Sequence, residues 1–205
     1  MDKRILIATV IAGAAFLGGC SEAPAPVDKT AELKKEPPKP PEPVAGQSAF
    51  FEMYKPARQW AADVQPLTLA SNDVPGRTAE GGKAWMWTAV FVSPSKREAR
   101  TLFYSVVEHE KVLRGVTVGG AQTWSGATPK SKPFGVAEFQ VNSDAAYDTV
   151  YKKAEAWVKK HPGKKLSIYL ASTNRFPAPA WYVMWGDSKS GYLGFVNATT
   201  GVAFK

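Results

Sequence analysis

One cysteine and two histidines in 205 residues exclude most of what those side chains do. A single thiol closes no intramolecular disulfide. His109, inside Val107-Glu108-His109-Glu110-Lys111, and His161, before Pro162-Gly163, belong to no metal-ligand spacing, and each reads as a solvated or helix-capping residue. No Gly-x-Ser-x-Gly surrounds Ser71, Ser93 or Ser95, so there is no nucleophile elbow. Lys164-Lys165 follow a Pro-Gly turn and form no phosphate loop. The acid pairs Asp144/Asp148 and Glu108/Glu110 suit a helix N-terminus and a charged turn, where carboxylates are ordinary. The expectation is a chain with no catalytic residues, no metal and no cofactor.

What the chain does have is basic charge, aromatic residues and a distinctive N-terminus. The formal charge is +8, and a surplus of that size favours approach to anionic material such as headgroups, wall polymers or acidic proteins. Met1 to Arg4 is a short charged stretch, and Ile5 to Leu17 is an apolar run shorter than the roughly 20 residues a membrane-spanning helix needs. The pair reads as a secretory signal. That address disfavours nucleic acid as a partner. Leu17-Gly18-Gly19-Cys20 resembles the bacterial lipobox, which implies cleavage after Gly19 and a lipid on Cys20. Acyl chains hold a protein on a membrane because each buried methylene contributes about 0.8 kcal/mol. Ser21, rather than Asp, follows Cys20, and by resemblance to proteobacterial sorting this implies the outer membrane, facing the periplasm. The stretch from Cys20 to Gly46, with Ala23-Pro24-Ala25-Pro26 and Pro37-Pro38-Lys39-Pro40-Pro41-Glu42-Pro43, reads as a tether of extended polyproline-like chain.

Seven Trp, seven Tyr and ten Phe fall mostly in periodic segments of the remaining chain. From Asp144 the residues Tyr147, Val150, Tyr151, Ala154, Trp157 and Val158 share one helix face, with Ser143 or Asp144 as N-cap and His161-Pro162-Gly163 as the stop. Phe50, Met53, Tyr54, Ala57 and Trp60 repeat that pattern earlier. Pro56 requires the earlier helix either to bend or to begin its regular part near Lys55. Strands follow each helix in the same order: Leu67–Ser71 answers Ile168–Ser172, Ala84–Trp87 answers Ala180–Val183, and Arg100–Val107 answers Gly191–Asn197. Further strands are expected at Val112–Val118 and, with a bulge near Ala137, at Phe134–Val141. The fold class expected is α+β, built as two helix-strand-strand-strand repeats at residues 47–120 and 121–205, after a signal at 1–19 and a lipidated tether at 20–46.

The C-terminal half resembles a PepSY-type domain. The resemblance rests on the helix with its Ala and aromatic spacing, on Pro179-Ala180-Trp181-Tyr182-Val183-Met184-Trp185, and on Phe195-Val196-Asn197-Ala198-Thr199-Thr200-Gly201-Val202. Asn197 stands where that family often has Asp, and the N-terminal copy lacks the Thr-Thr-Gly turn. The resemblance implies an interaction module without an active site, in an envelope protein that binds a protein partner, with an inhibitory or chaperone-like role. Two surfaces are candidates for contact. Lys152, Lys153, Lys159, Lys160, Lys164 and Lys165 form either a solvated helix face or a patch for a partner or an anionic polymer such as lipopolysaccharide. The pairs Trp85/Trp87 and Trp181/Trp185, each expected to share a strand face, are either core under the helices or an aromatic groove.

Overall fold

The computed structural model describes residues 40–205; the signal, Cys20 and the tether through Lys39 lie outside the described residues. Order begins before the expected boundary. Strand β1 (Val44–Ala45) pairs antiparallel with β3 (Lys83–Ala84) and runs directly into helix α1 (Gly46–Trp60). The tether boundary placed at Gly46 is therefore corrected: Val44 to Gly46 belong to the folded part.

Helix α1 buries Gly46, Ala49, Phe50, Met53 and Ala57, the stripe its spacing predicts. Pro56 lies inside a helix that already runs from Gly46, so the alternative of a start near Lys55 is excluded. Helix α2 (Ser143–Lys160) buries Ser143, Ala146, Val150 and Ala154. Its N-cap is Asn142, a correction to the expected Ser143 or Asp144. The reason is local: the Ser143 hydroxyl is occupied elsewhere, accepting from Gly46 N–H at 2.7 Å and donating to the carbonyl of Gly82. Asn142 Oδ1 accepts from Ser143 N–H at 2.8 Å and from Gln47 N–H at 2.9 Å, so one amide side chain caps both helices. Helix α1 has no side-chain cap of its own at Ala45.

Seven strands form one antiparallel sheet: β2 (Gln65–Asn72), β4 (Met86–Ser93), β5 (Glu98–Ser105), β6 (Gly115–Thr123), β7 (Leu166–Ala171), β8 (Ala180–Trp185) and β9 (Tyr192–Asn197). Their order is β6-β5-β4-β2-β7-β8-β9. The first long strand after each helix meets the other at the centre, with Leu69 opposite Leu170. Both helices lie on the same face. Phe50 of α1 packs on Phe91 at 5.6 Å between centroids, Tyr147 of α2 packs on Trp185 at 5.6 Å, and a Cβ on Gly46 would stand 2.9 Å from Trp181 and 3.2 Å from Trp87. The indoles of Trp87 and Trp181 are fully buried and meet edge-on at 6.4 Å. Each donates its N–H to a carbonyl two residues ahead of a helix: Trp87 to Val44 at 2.9 Å and Trp181 to Val141 at 2.8 Å.

Three strand expectations are corrected. Trp85 sits at a bend before β4 and not on it, so it does not share a face with Trp87; it is half-buried, with the Arg77 guanidinium 4.2 Å from its ring. The counterpart of Trp181 is Trp87, two residues later than the sequence match. Phe134–Val141 is not a strand but a loop around a short 3-10 turn, Val136–Glu138. Strand β2 is already paired on both sides, leaving this segment no central edge, and Phe134 and Phe139 anchor it by burial at either end of the turn. The strand expected at Val112–Val118 begins at Gly115 and extends to Thr123, because His109 and Val112 close a tight turn on each other first. The turn after β9 follows the sequence reading: Asn197 Oδ1 accepts from Thr199 and Thr200 N–H, and Gly201 takes φ +75°.

Candidate functional site

Side chains alternate across a strand, so every residue between two helix-facing neighbours points to the other side of the sheet. No helix of the described residues covers that other side. The ladder registers align one unbroken row across all seven strands: Thr117, Phe103, Thr88, Ala70, Tyr169, Tyr182 and Phe195. Apart from Ala70 the row is hydroxyl-bearing or aromatic, and all of its members are partly exposed, Tyr169 by 37%. Tyr169 and Tyr182 meet edge-on at 5.7 Å, and Tyr182 and Phe195 at 5.1 Å.

This face carries no charge within the strands. The seven strands contain only two charged residues, Glu98 and Arg100, and their register with Ser93 and Phe91 puts both on the helix side. An open face of an antiparallel sheet normally alternates polar and charged residues into water. Depletion of charge with Tyr, Phe and Met in the middle is instead the composition of an interface core. Basic residues stand at the margin. Arg175 lies 4.1 Å from the Phe195 ring and 5.1 Å from Phe176, which stacks on Phe204 at 4.3 Å. Burial, and then the neighbouring Tyr182, push the Tyr169 hydroxyl above its ordinary pKa, so burial favours its uncharged form.

The six lysines are divided by the fold. Lys152, Lys153, Lys159 and Lys160 are exposed on the outer face of α2, and Lys159 is held by Glu155 at 2.9 Å. Lys164 and Lys165 lie beyond the helix, where they line a cavity of about 380 Å³ with Thr78, Glu80, Tyr147 and Trp185. Lys164 donates to Ser190 Oγ and Lys165 pairs with Asp73 at 3.2 Å. Lys152, Lys153 and Lys160 have no carboxylate within ion-pair distance among the described residues. Of the four tryptophans considered for a groove, Trp87, Trp181 and Trp185 are core, with Trp185 packed on Tyr147 and Tyr151.

The histidines occupy separate settings. His161 stacks on Trp157 at 4.2 Å, with Nδ1 2.8 Å from the Trp157 carbonyl, at the end of α2. His109 stands 3.5 Å from Glu110 in its turn. Asp144 Oδ1 accepts from the Ala145 amide at the start of α2. Cys20 lies outside the described residues, and no helix among those described is long and apolar enough to cross a membrane.

Sequence reasoning missed the open face, although the signal was present: seven strand segments with almost no charge on either set of alternating positions. No protein-family model matches the chain, and no curated protein matches it. A solved structure of a candidate lipoprotein from Clostridium difficile 630 aligns at a TM-score of 0.47 with 8% identity, over 80% of this chain and 93% of that one.

Proposed function

We propose that the chain is a non-catalytic lipoprotein anchored through Cys20, whose α+β module holds a protein partner on the helix-free sheet face. The observation that carries this reading is the uncharged row from Thr117 to Phe195. A solvated face would gain nothing from excluding every Lys, Glu, Asp and Arg, whereas a face that becomes buried avoids the cost of desolvating them. The module is a duplicated PepSY-like unit, an assignment supported by the matching element order and by the two indole bonds to Val44 and Val141. The membrane is the outer one, on the strength of Ser21 after Cys20.

The test is site-specific photo-crosslinking in cells, with the probe at Tyr182 in one strain and at Lys152 in another. A single dominant protein adduct from Tyr182, weak or absent from Lys152, is expected. Adducts from Lys152 alone would overturn the assignment of the face. Replacing Cys20 with Ser should release the protein from the membrane fraction.

A second reading, a binder of anionic envelope polymer or lipopolysaccharide, is favoured by one observation: Lys152, Lys153 and Lys160 are exposed without carboxylate partners. It predicts retention on lipopolysaccharide that weakens with salt and disappears when Lys152, Lys153, Lys159 and Lys160 become Glu.

A further inference from the structure

The two ends of the sheet differ in charge. One end holds the connections from β2 to β3, β5 to β6 and β8 to β9, and the tether side of the chain arrives there, where Pro40 and Pro41 line a cavity with Arg114 and Gly115. Loops at this end mix signs: Asp73 with Arg77, Glu108 and Glu110 with Lys111, Asp187 with Lys189. At the other end the loops 94–97, 124–133 and 172–179 carry Lys96, Arg97, Lys130, Lys132 and Arg175 and no carboxylate. None of these cations has a carboxylate within ion-pair distance among the described residues. The acids bordering them are committed elsewhere. Asp63 accepts from the Ser93 hydroxyl and the Ser95 N–H, Glu138 accepts from Gly135 N–H, and Glu98 lies on the helix side.

Backbone hydrogen bonds join the three basic loops into one rim: Trp124 N–H donates to Arg97 at 2.9 Å, Asn174 N–H to Pro129 at 2.7 Å and Lys132 N–H to Ser172 at 2.9 Å. Thr128 and Ser131 exchange hydrogen bonds across a tight turn that holds Lys130 at its tip. The rim meets the open face at Arg175, whose guanidinium lies 4.1 Å from the Phe195 ring of the row. Between row and rim the same side of the strands presents Thr101, Val90, Thr68, Ala171 and Ala180, without charge.

We infer that the partner offers this face an acidic segment of protein, with apolar side chains on the row from Thr117 to Phe195 and carboxylates at Arg175, Lys130 and Lys132. The inference rests on the sheet face proposed above and adds the sign of the partner's charge. An uncharged centre is desolvated at small cost, while charges kept at the margin stay hydrated and set the encounter rate and the choice of partner. The forked donors of a guanidinium match a carboxylate, and an acid-free rim repels basic competitors. Headgroups of the anchoring membrane match the rim less well, because the tether joins the domain at the opposite end, where the signs are mixed.

The test is photo-crosslinking of the full chain in cells, with benzoylphenylalanine at Tyr182. Lys130→Glu combined with Arg175→Glu should lower the protein adduct about tenfold, the low end of electrostatic steering. Lys111→Glu combined with Lys189→Glu makes the same change in net charge at the tether end and should leave the adduct intact. Mass spectrometry should place the adduct in a stretch of the partner where Asp and Glu outnumber Lys and Arg. Should the first pair unfold, Lys96→Glu with Lys130→Glu repeats the reversal at two exposed positions and keeps Arg175 on Phe195. An adduct that survives the folded reversal, that falls equally with the tether-end pair, or that maps to a basic stretch overturns the acidic partner and leaves the sheet face assigned. If Tyr182 in the otherwise wild-type chain gives no protein adduct, or only a lipid one, the sheet face itself is overturned, and this inference with it.

Discussion

Ser143→Ala is the most informative single substitution for the fold, because one buried hydroxyl joins three parts of the chain. Its oxygen accepts from the first amide of α1 at 2.7 Å and donates to the Gly82 carbonyl, at 0% exposure. Alanine leaves one backbone donor and one backbone acceptor buried without a partner, at about 1–3 kcal/mol each. Alanine is also the better helix residue by a few tenths of a kcal/mol, which offsets little. The net loss is about 3 kcal/mol, or roughly 6–12 °C in Tm for a domain of this size. Thermal unfolding followed by tryptophan fluorescence reads it directly, since Trp87 and Trp181 lie beside Gly46. The comparison is Asn142→Ala, which removes the cap of both helices; its part-buried amides can turn to water, so the loss should be smaller, about 1–2 kcal/mol. A change below about 2 °C for Ser143→Ala would refute the idea that this hydroxyl satisfies both groups.

Three further outcomes follow from the same packing. Gly82→Ala puts a Cβ 2.3 Å from Asp144 Cα at φ +79°, so the backbone of α2 must shift; the cost should exceed about 2 kcal/mol, against about 1 kcal/mol for Gly76→Ala, whose φ is +72° but which has open space around it. Trp181→Phe keeps an aromatic ring but strands the Val141 carbonyl and opens a void, and chemical denaturation should show a loss of about 2–4 kcal/mol, whereas Trp85→Phe at the half-buried bend should lose under about 1 kcal/mol. The Ser93 hydroxyl, followed by the Ser95 amide, holds the Asp63 carboxyl below its ordinary value of 3.8. A depressed folded pKa contributes stability above the unfolded value that is lost as pH falls through the folded one, so Asp63→Asn should flatten the stability profile below about pH 4 and leave it unchanged in shape near neutrality.

The helices and the order of elements were legible because periodicity carries them: Phe50, Met53 and Ala57 bury as their spacing requires, and Val150 and Ala154 likewise. Strand boundaries were less legible. Trp85 and Trp87 alternate as two residues of one strand would, and nothing local reveals that β3 and β4 are separated by a bend at Trp85. Phe134–Val141 has the apolar content of a strand, yet strand formation needs a free neighbouring edge, and that depends on β2 being paired on both sides. The Asn142 cap was missed for a related reason. Ser143 is as good a capping residue as Asn142 in isolation, and only its distant bonds to Gly46 and Gly82 decide between them. The lysine group was legible as a set of charges on a line but not as two groups, since Lys164 and Lys165 turn away to Ser190 and Asp73 beyond the helix.

The location of charge separates the surfaces more sharply than its total. The outer face of α2 concentrates lysine, and a helix tolerates cations there because they complement its C-terminal dipole whether or not anything binds. Such a face needs no ligand to account for it. The sheet face differs, because setting Phe103, Tyr169, Tyr182 and Phe195 on it, each partly exposed, with not one charged residue among the strand positions around them, contributes nothing to the core on the far side. Arg175 is kept flat against Phe195 at the margin, where its charge remains hydrated while its plane covers the ring. A stability requirement accounts for Trp87, Trp181 and Leu69. It does not account for the opposite side of the same strands, and that unexplained composition is why the sheet, rather than the basic helix, is proposed as the partner-binding face.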